Sequence, residues 1–170
     1  MNKLDILVIA AHPDDAELAC SGTIAAHVAK GHKVGIVDLT KGEMGTRGTP
    51  EIRIEESTEA ARILGLSARE NMGFKDIYFK DDEEHQHQLI RMIRKYQPEI
   101  VLANAITDRH PDHGDVSDLV KEAYFSAGIR KYETSVKDAY RSEALYLYMI
   151  NGYHKPDFYI NISENIESKI

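Results

Sequence analysis

The sequence predicts an α/β fold: a single Rossmann-like three-layer sandwich with a mainly parallel sheet and its functional site at the strand carboxyl ends. Three observations lead there. Apolar runs alternate with segments of helical periodicity along the 170 residues. The runs at 4–11 and 100–103 are nearly unbroken, as in strands buried on both faces. Each of these two runs leads into a short acidic and histidine-bearing cluster, Ala11-His12-Pro13-Asp14-Asp15 and Asp108-Arg109-His110-Pro111-Asp112-His113.

Taken in order, residues 4–11 form the first strand. A helix follows over 17–30, with Ile24, Ala25 and Val28 on one face and Gly31 placed to cap its end. Residues 33–39 are the second strand. Thr49 can cap the next helix, Pro50 suits its first position, Ser57, Ala60, Ala61 and Leu64 keep helical spacing, and Gly65 ends it. A weak strand is expected at 70–74, then a helix over 82–96 with Leu89, Met92, Ile93 and Tyr96 inward. Pro98 stops that helix before the strand at 100–103. Beyond the second cluster Val116, Leu119, Val120, Ala123, Tyr124 and Ala127 recur at helical spacing, and Gly128 closes the helix. Residues 132–141 read as a loop. Two late strands, 143–150 and 158–162, are expected to finish the sheet. Ser163 can cap a last helix from Glu164 that breaks off at Ile170, so the expectation is one domain over 1–170 lacking a C-terminal segment.

Composition narrows the partners. The formal charge of -7 and the absence of any Lys/Arg block argue against nucleic acid and anionic membranes and favour a small molecule. No stretch approaches the roughly 18 apolar residues of a spanning helix, and the N-terminus lacks a secretory pattern, so a cytoplasmic setting is expected. Cys20 is the only cysteine, which excludes an intramolecular disulfide; its neighbours Ala19, Ile24 and Ala25 point to burial on a helix.

The two clusters have the chemistry of a metal site. A catalytic zinc site takes three nitrogen, oxygen or sulfur ligands from the protein and leaves the fourth position to water. One turn can aim His12 and Asp15 at a single point, and His113 can close the site from a neighbouring strand end. Asp14 is then left as a candidate general base. His110 and Asp112 offer a histidine oriented by a carboxylate, able to present an N–H to developing negative charge or to pass a proton. Either cluster alone is as easily a turn or a helix cap, but two at equivalent strand ends are hard to explain by turns. Arg47, Arg53 and Arg109 can pair with Glu43, Glu51 or Asp108, yet their place in both loops favours recognition of a carboxylate by a planar fork. A divalent-cation-binding phosphoacceptor module would also use Asp14 and Asp15. It leaves the two histidines of the second cluster without a role.

These residues resemble the LmbE-like (PIG-L) zinc-dependent N-deacetylases, whose His-Pro-Asp-Asp and His-Pro-Asp-His motifs stand here at 12–15 and 110–113. The resemblance covers nearly the whole chain. It sharpens toward the deacetylase branch of bacillithiol biosynthesis, whose second-strand loop resembles residues 38–53, from Asp38-Leu39-Thr40-Lys41-Gly42-Glu43 to Arg53, and Asp108-Arg109 also fits that branch. It implies that His12, Asp15 and His113 hold Zn2+, with Fe2+ as the alternative ion. Asp14 would activate the attacking water, and His110, paired with Asp112, would stabilise the oxyanion or help protonate the leaving amine. Arg53, Glu43 and Arg47 would line the substrate pocket, joined by Arg109 on the anion argument above. The implied reaction removes acetate from N-acetylglucosaminyl malate. An amidase of thiol conjugates and a general N-acetylglucosaminide deacetylase share the same metal core and stand as alternatives. The implied partner is a small amino-sugar substrate, and the resemblance is compatible with a homo-oligomer, a hexamer in the family pattern. Two departures are visible: Ala16 stands between the paired aspartates and Glu17, where many relatives have Glu directly, and the branch continues well past residue 170.

Overall fold

Strands β1 (Ile6–Ala10), β2 (Val34–Thr40), β3 (Ala68–Phe74), β4 (Ile100–Asn104) and β5 (Ala144–Tyr148) form one sheet in the order β3-β2-β1-β4-β5. Every pairing is parallel. The structure, a computed structural model, describes residues 3–136 and 138–170. Helices α1 (Asp15–Ala29), α2 (Pro50–Leu64), α3 (Glu83–Tyr96) and α4 (Pro111–Ser126) fill the connections. Ile6, Val8 and Ala10 of β1 pack with Cys20, Ile24 and Ala25 of α1 and Leu64 of α2. The alternate residues Leu7 and Ile9 face the other way, toward Leu89 and Ile93 of α3 and Leu119 and Val120 of α4. This burial on both faces is why the central strands read as continuous apolar runs, each large side chain contributing about 1.5–3 kcal/mol. Among the described residues no helix is long and apolar enough to cross a membrane.

Local signals set the helix ends. The Thr49 hydroxyl accepts the Ile52 N–H at 3.3 Å with Pro50 behind it, and Gly65 ends α2 in the left-handed region at φ 66°. Asp82 caps α3 by accepting the His85 N–H at 3.0 Å. Helix α1 starts at Asp15, two residues before the expected point, because the second aspartate of the first cluster is already its first turn.

Arg94, in the last turn of α3, is fully buried. Its guanidinium donates to the carbonyls of Ala127 at 3.0 Å, Ile129 at 2.8 Å, Tyr132 at 2.9 Å and Val136 at 3.2 Å. It thereby ties the end of α4 and the following loop to α3 without a carboxylate partner among the described residues.

The expected strand at 158–162 does not form. These residues run irregularly, and the last helix, expected from Glu164, is a 3-10 turn (Ser163–Asn165) leading into α5 (Ile166–Lys169). The reason lies in α1. Ile162 sits so close over Gly22 that a Cβ there would meet its Cδ1 at 2.3 Å, and Lys169 donates to the carbonyl of Leu18 at 2.9 Å. Phe158 meanwhile rests edge-on against Tyr146 of β5, so 158–162 touches the sheet edge and α1 through side chains and pairs with neither as a strand.

Candidate metal centre

From β1 the chain builds outward through β2 and β3, then returns to the other side of β1 for β4 and β5. The reversal falls between β1 and β4, the switch point where open α/β sheets bind ligands beyond the strand carboxyl ends. Both clusters begin there.

His12, Asp15 and His113 are all buried and bring one ligand atom each within 4.8 Å of one another. Asp15 Oδ1 lies 3.2 Å from His113 Nε2, and Asp15 Oδ2 lies 3.5 Å from His12 Nδ1. Each imidazole has a carboxylate at its far nitrogen. His12 Nε2 meets Asp76 Oδ1 at 3.1 Å, and His113 Nδ1 lies 3.0 Å from Asp108 Oδ1, a charge contact outside good hydrogen-bond alignment. Such carboxylate–histidine pairs orient metal-binding imidazoles and raise their basicity. Two imidazoles and one carboxylate are the donor set of a three-ligand zinc or ferrous site, so the residues fit the ion. His12 also comes within the same reach of His110 and Asp112, but that group includes the part-exposed His110.

The electrostatics follow the packing. Burial alone would pull His12 down, but the Asp15 and Asp76 carboxylates overcome it and lift it to about 9. Burial opposes ionisation of Asp15, yet hydrogen bonds from His113 and His12 hold it well below the usual carboxylate range. Burial raises Asp14, opposed by the Arg53 guanidinium. Asp14 is the outward member of the aspartate pair, with a side chain 55% exposed, while Asp15 turns inward.

Around this centre lies an open cleft of about 320 Å³ whose walls include Asp14, Arg53, Asp76, Arg109 and His110. Leu18, Met44, Ile77 and Ile150 add an apolar rim. Arg53 is in the cleft but its fork is engaged: NH2 lies 3.1 Å from Asp14 Oδ1, and NH1 donates to the Gly42 carbonyl at 3.1 Å. Gly42, at φ 62°, has no Cβ to block that approach, since one would stand 2.0 Å from Arg53 NH1. Arg109 is exposed in the wall, and Glu43 and Arg47 stand outside it. Glu43 instead accepts the Asp76 N–H at 2.8 Å, bracing the turn that carries Asp76.

The expected His110–Asp112 pairing is not made. His110 is the N-cap of α4 with Pro111 next, so its Nδ1 accepts the Asp112 backbone N–H at 3.3 Å, while the Asp112 carboxylate is 3.9 Å away. Asp112 turns to accept the Ile77 N–H at 3.1 Å and to face His12 Nε2 at 3.4 Å. An accepting Nδ1 leaves the proton of a neutral His110 on Nε2.

Sequence reasoning missed Asp76 and Asn104, and named Asp108 only as part of the second cluster and as a partner for arginine. Asp108 accepts the backbone and side-chain N–H groups of Asn151 at 2.9 and 3.2 Å, locking the segment after β5 onto the second cluster. Asp76 sits in an irregular turn that no periodicity marks. Asn104 had one signal, a polar residue directly after the apolar run of β4.

The profile of the PIG-L family, GlcNAc-PI de-N-acetylase, matches residues 7–124, which include both clusters. The chain belongs to the PIG-L family. It is 31% identical over 97% of its length to diacetylchitobiose deacetylase of Thermococcus kodakarensis, of which the match spans 66%. Among PIG-L-like structures, the conserved protein TT1542 of Thermus thermophilus superposes with a TM-score of 0.92 at 45% identity, over 98% of this chain and 75% of that one. GalB of Pseudomonas putida, a 4-carboxy-2-hydroxymuconate hydratase, superposes at 0.84 with 26% identity, over 99% of this chain and 76% of that one. The chain spans from 55% to 66% of the length of the first curated relatives it matches.

Proposed function

We propose that this PIG-L chain carries the metal-dependent hydrolytic centre of an N-deacetylase acting on N-acetylglucosamine-type substrates. The observation that carries the reading is the split of the adjacent aspartates, Asp15 turned into the imidazole cluster and Asp14 turned to the cleft. His12, Asp15 and His113 would hold the ion. A bound Zn2+ or Fe2+ supplies Lewis acidity, polarising an amide carbonyl and lowering the pKa of water. Asp14, an exposed carboxylate at the cleft, takes the proton of the attacking water. His110 donates its Nε2–H to the acetamide oxygen as negative charge develops, and the proton that Asp14 took from water goes to the departing amine. Asp112 serves His12 instead of His110.

Within that class we assign N-acetylglucosaminyl malate, the bacillithiol precursor, as substrate. Arg109 supports this choice: it is an exposed guanidinium in the cleft wall, suited to a carboxylate of the aglycone. The same assignment carries a cytoplasmic setting and a homo-oligomer, hexameric in the family pattern. The test is acetate release, measured on N-acetylglucosaminyl malate and on an uncharged N-acetylglucosaminide. Preference for the malate conjugate is expected. Equal or reversed preference removes the malate assignment and keeps the deacetylase; water addition to an unsaturated tricarboxylate with no acetate release from either glucosaminide replaces the deacetylase by a hydratase, the activity of the Pseudomonas putida relative.

A further inference from the structure

Asn104 ends β4 with its side chain fully buried between the two clusters. Its Oδ1 accepts the Ala11 backbone N–H at 3.3 Å and its Nδ2 donates to Asp15 Oδ2 at 3.2 Å. The amide orientation follows from chemistry. A backbone N–H can only donate and an ionised carboxylate can only accept, so a flipped amide would set donor against donor and acceptor against acceptor. From β5, the Tyr148 hydroxyl reaches both Asn104 Oδ1 at 3.1 Å and the Ile9 carbonyl at 3.0 Å.

The consequence falls on Asp15. Its Oδ2 receives two N–H donors, from Asn104 and from the His12 backbone at 3.1 Å. Its Oδ1 receives neither and faces His113 Nε2 at 3.2 Å, while Oδ2 also stands 3.5 Å from His12 Nδ1. We infer that Asn104 is a positioning residue that loads Asp15 Oδ2 with a second N–H donor, fixes the rotation of the carboxylate and would leave Oδ1 the freer oxygen for a cation. Tyr148 secures the acceptor side of the amide and does not touch Asp15, so it contributes to the packing of the β4–β5 edge and not to the ligand. This inference rests on the proposed roles of His12, Asp15 and His113.

The experiment compares zinc dissociation constants, measured by competition with a chromophoric chelator, together with melting temperature, in wild type and the Asn104→Ala, Tyr148→Phe and Asp15→Ala variants. Removing an outer partner of a metal ligand weakens metal binding by about 10- to 100-fold, and that loss is expected for Asn104→Ala. Tyr148→Phe is expected to lower the melting temperature while its zinc affinity stays within about threefold of wild type, well short of the loss expected for a direct partner. Asn104→Leu keeps about the same volume, adds no charge and removes the amide donor; it is the second probe if the truncation does not fold, with zinc weakened to the same degree. Wild-type zinc affinity in a folded Asn104 variant, or an equal loss in Tyr148→Phe, overturns the inference. Undiminished zinc affinity in Asp15→Ala strikes the ligand assignment itself, a result distinct from both.

Discussion

Replacing Arg53 by alanine is expected to slow hydrolysis of charged and uncharged substrates alike. The sequence alone favours a different result, selective loss on an anionic substrate, because an arginine in an active-site loop suits a carboxylate. In the structure that fork already holds Asp14 Oδ1 at 3.1 Å and the carbonyls of Gly42 and Pro13 at 3.1 and 3.4 Å. A charge-assisted hydrogen bond contributes about 1.5–3 kcal/mol when dry. Asp14 is more than half exposed, so solvent screening lowers this to about 1 kcal/mol, or roughly a fivefold fall in turnover if the base is misplaced by that amount. The assay is steady-state acetate release on N-acetylglucosaminyl malate and an uncharged N-acetylglucosaminide, with kcat and KM separated. A fall in kcat of similar size on both substrates is expected, with Arg53→Lys recovering part of it. Loss confined to KM for the charged substrate would refute the argument and make Arg53 an anion anchor.

Asp14→Asn keeps shape and removes the base, so turnover should drop by about two to four orders of magnitude with metal content unchanged; near-wild-type activity excludes it as base. Burial pushes the Cys20 thiol up to about 12, so a thiol reagent at pH 8 should leave the native protein unmodified and label it stoichiometrically in denaturant. Glu70 is desolvated, yet the Lys95 ammonium and Tyr96 hydroxyl hold its carboxyl below the ordinary value. A depressed folded pKa contributes stability above the unfolded value and loses it as pH falls through the folded one. Glu70→Gln should therefore lower the melting temperature at pH 7, by the equivalent of about 0.5 kcal/mol for a partly exposed pair, and converge on wild type in acid. A pH-independent gap would show that the contact is not ionic.

What the sequence makes legible is what repeats or clusters. The central strands announce themselves because β1 and β2 are buried on both faces, and Thr49, Pro50 and Gly65 mark the ends of α2 through local chemistry. Strand β3 is faint because it is a sheet edge, with Arg69 and Glu70 half-buried where the inner strands carry aliphatics. Residues 158–162 have strand composition but are held by side-chain contacts, Phe158 on Tyr146 of β5 and Ile162 on Gly22 of α1, which no periodicity marks. The paired clusters were readable because two motifs follow two strand-like runs. Their supports were not: Asp76 and Asn104 are single polar residues, and the role of Asp108, visible in the second cluster, depends with theirs on which segments lie side by side. The pairing of His110 with Asp112 failed for a local reason, since a histidine at an N-cap spends Nδ1 on the helix backbone.

The Arg94 anchor separates the endurance of the scaffold from that of the site. A guanidinium keeps its proton at any pH a protein meets, and its partners here are carbonyls, which do not titrate in that range. The cleft, by contrast, is held by carboxylates and imidazoles. On acidification the carboxylates of the cleft can lose their charge, while the clasp between α3 and the end of α4 keeps the same cation and the same neutral acceptors throughout.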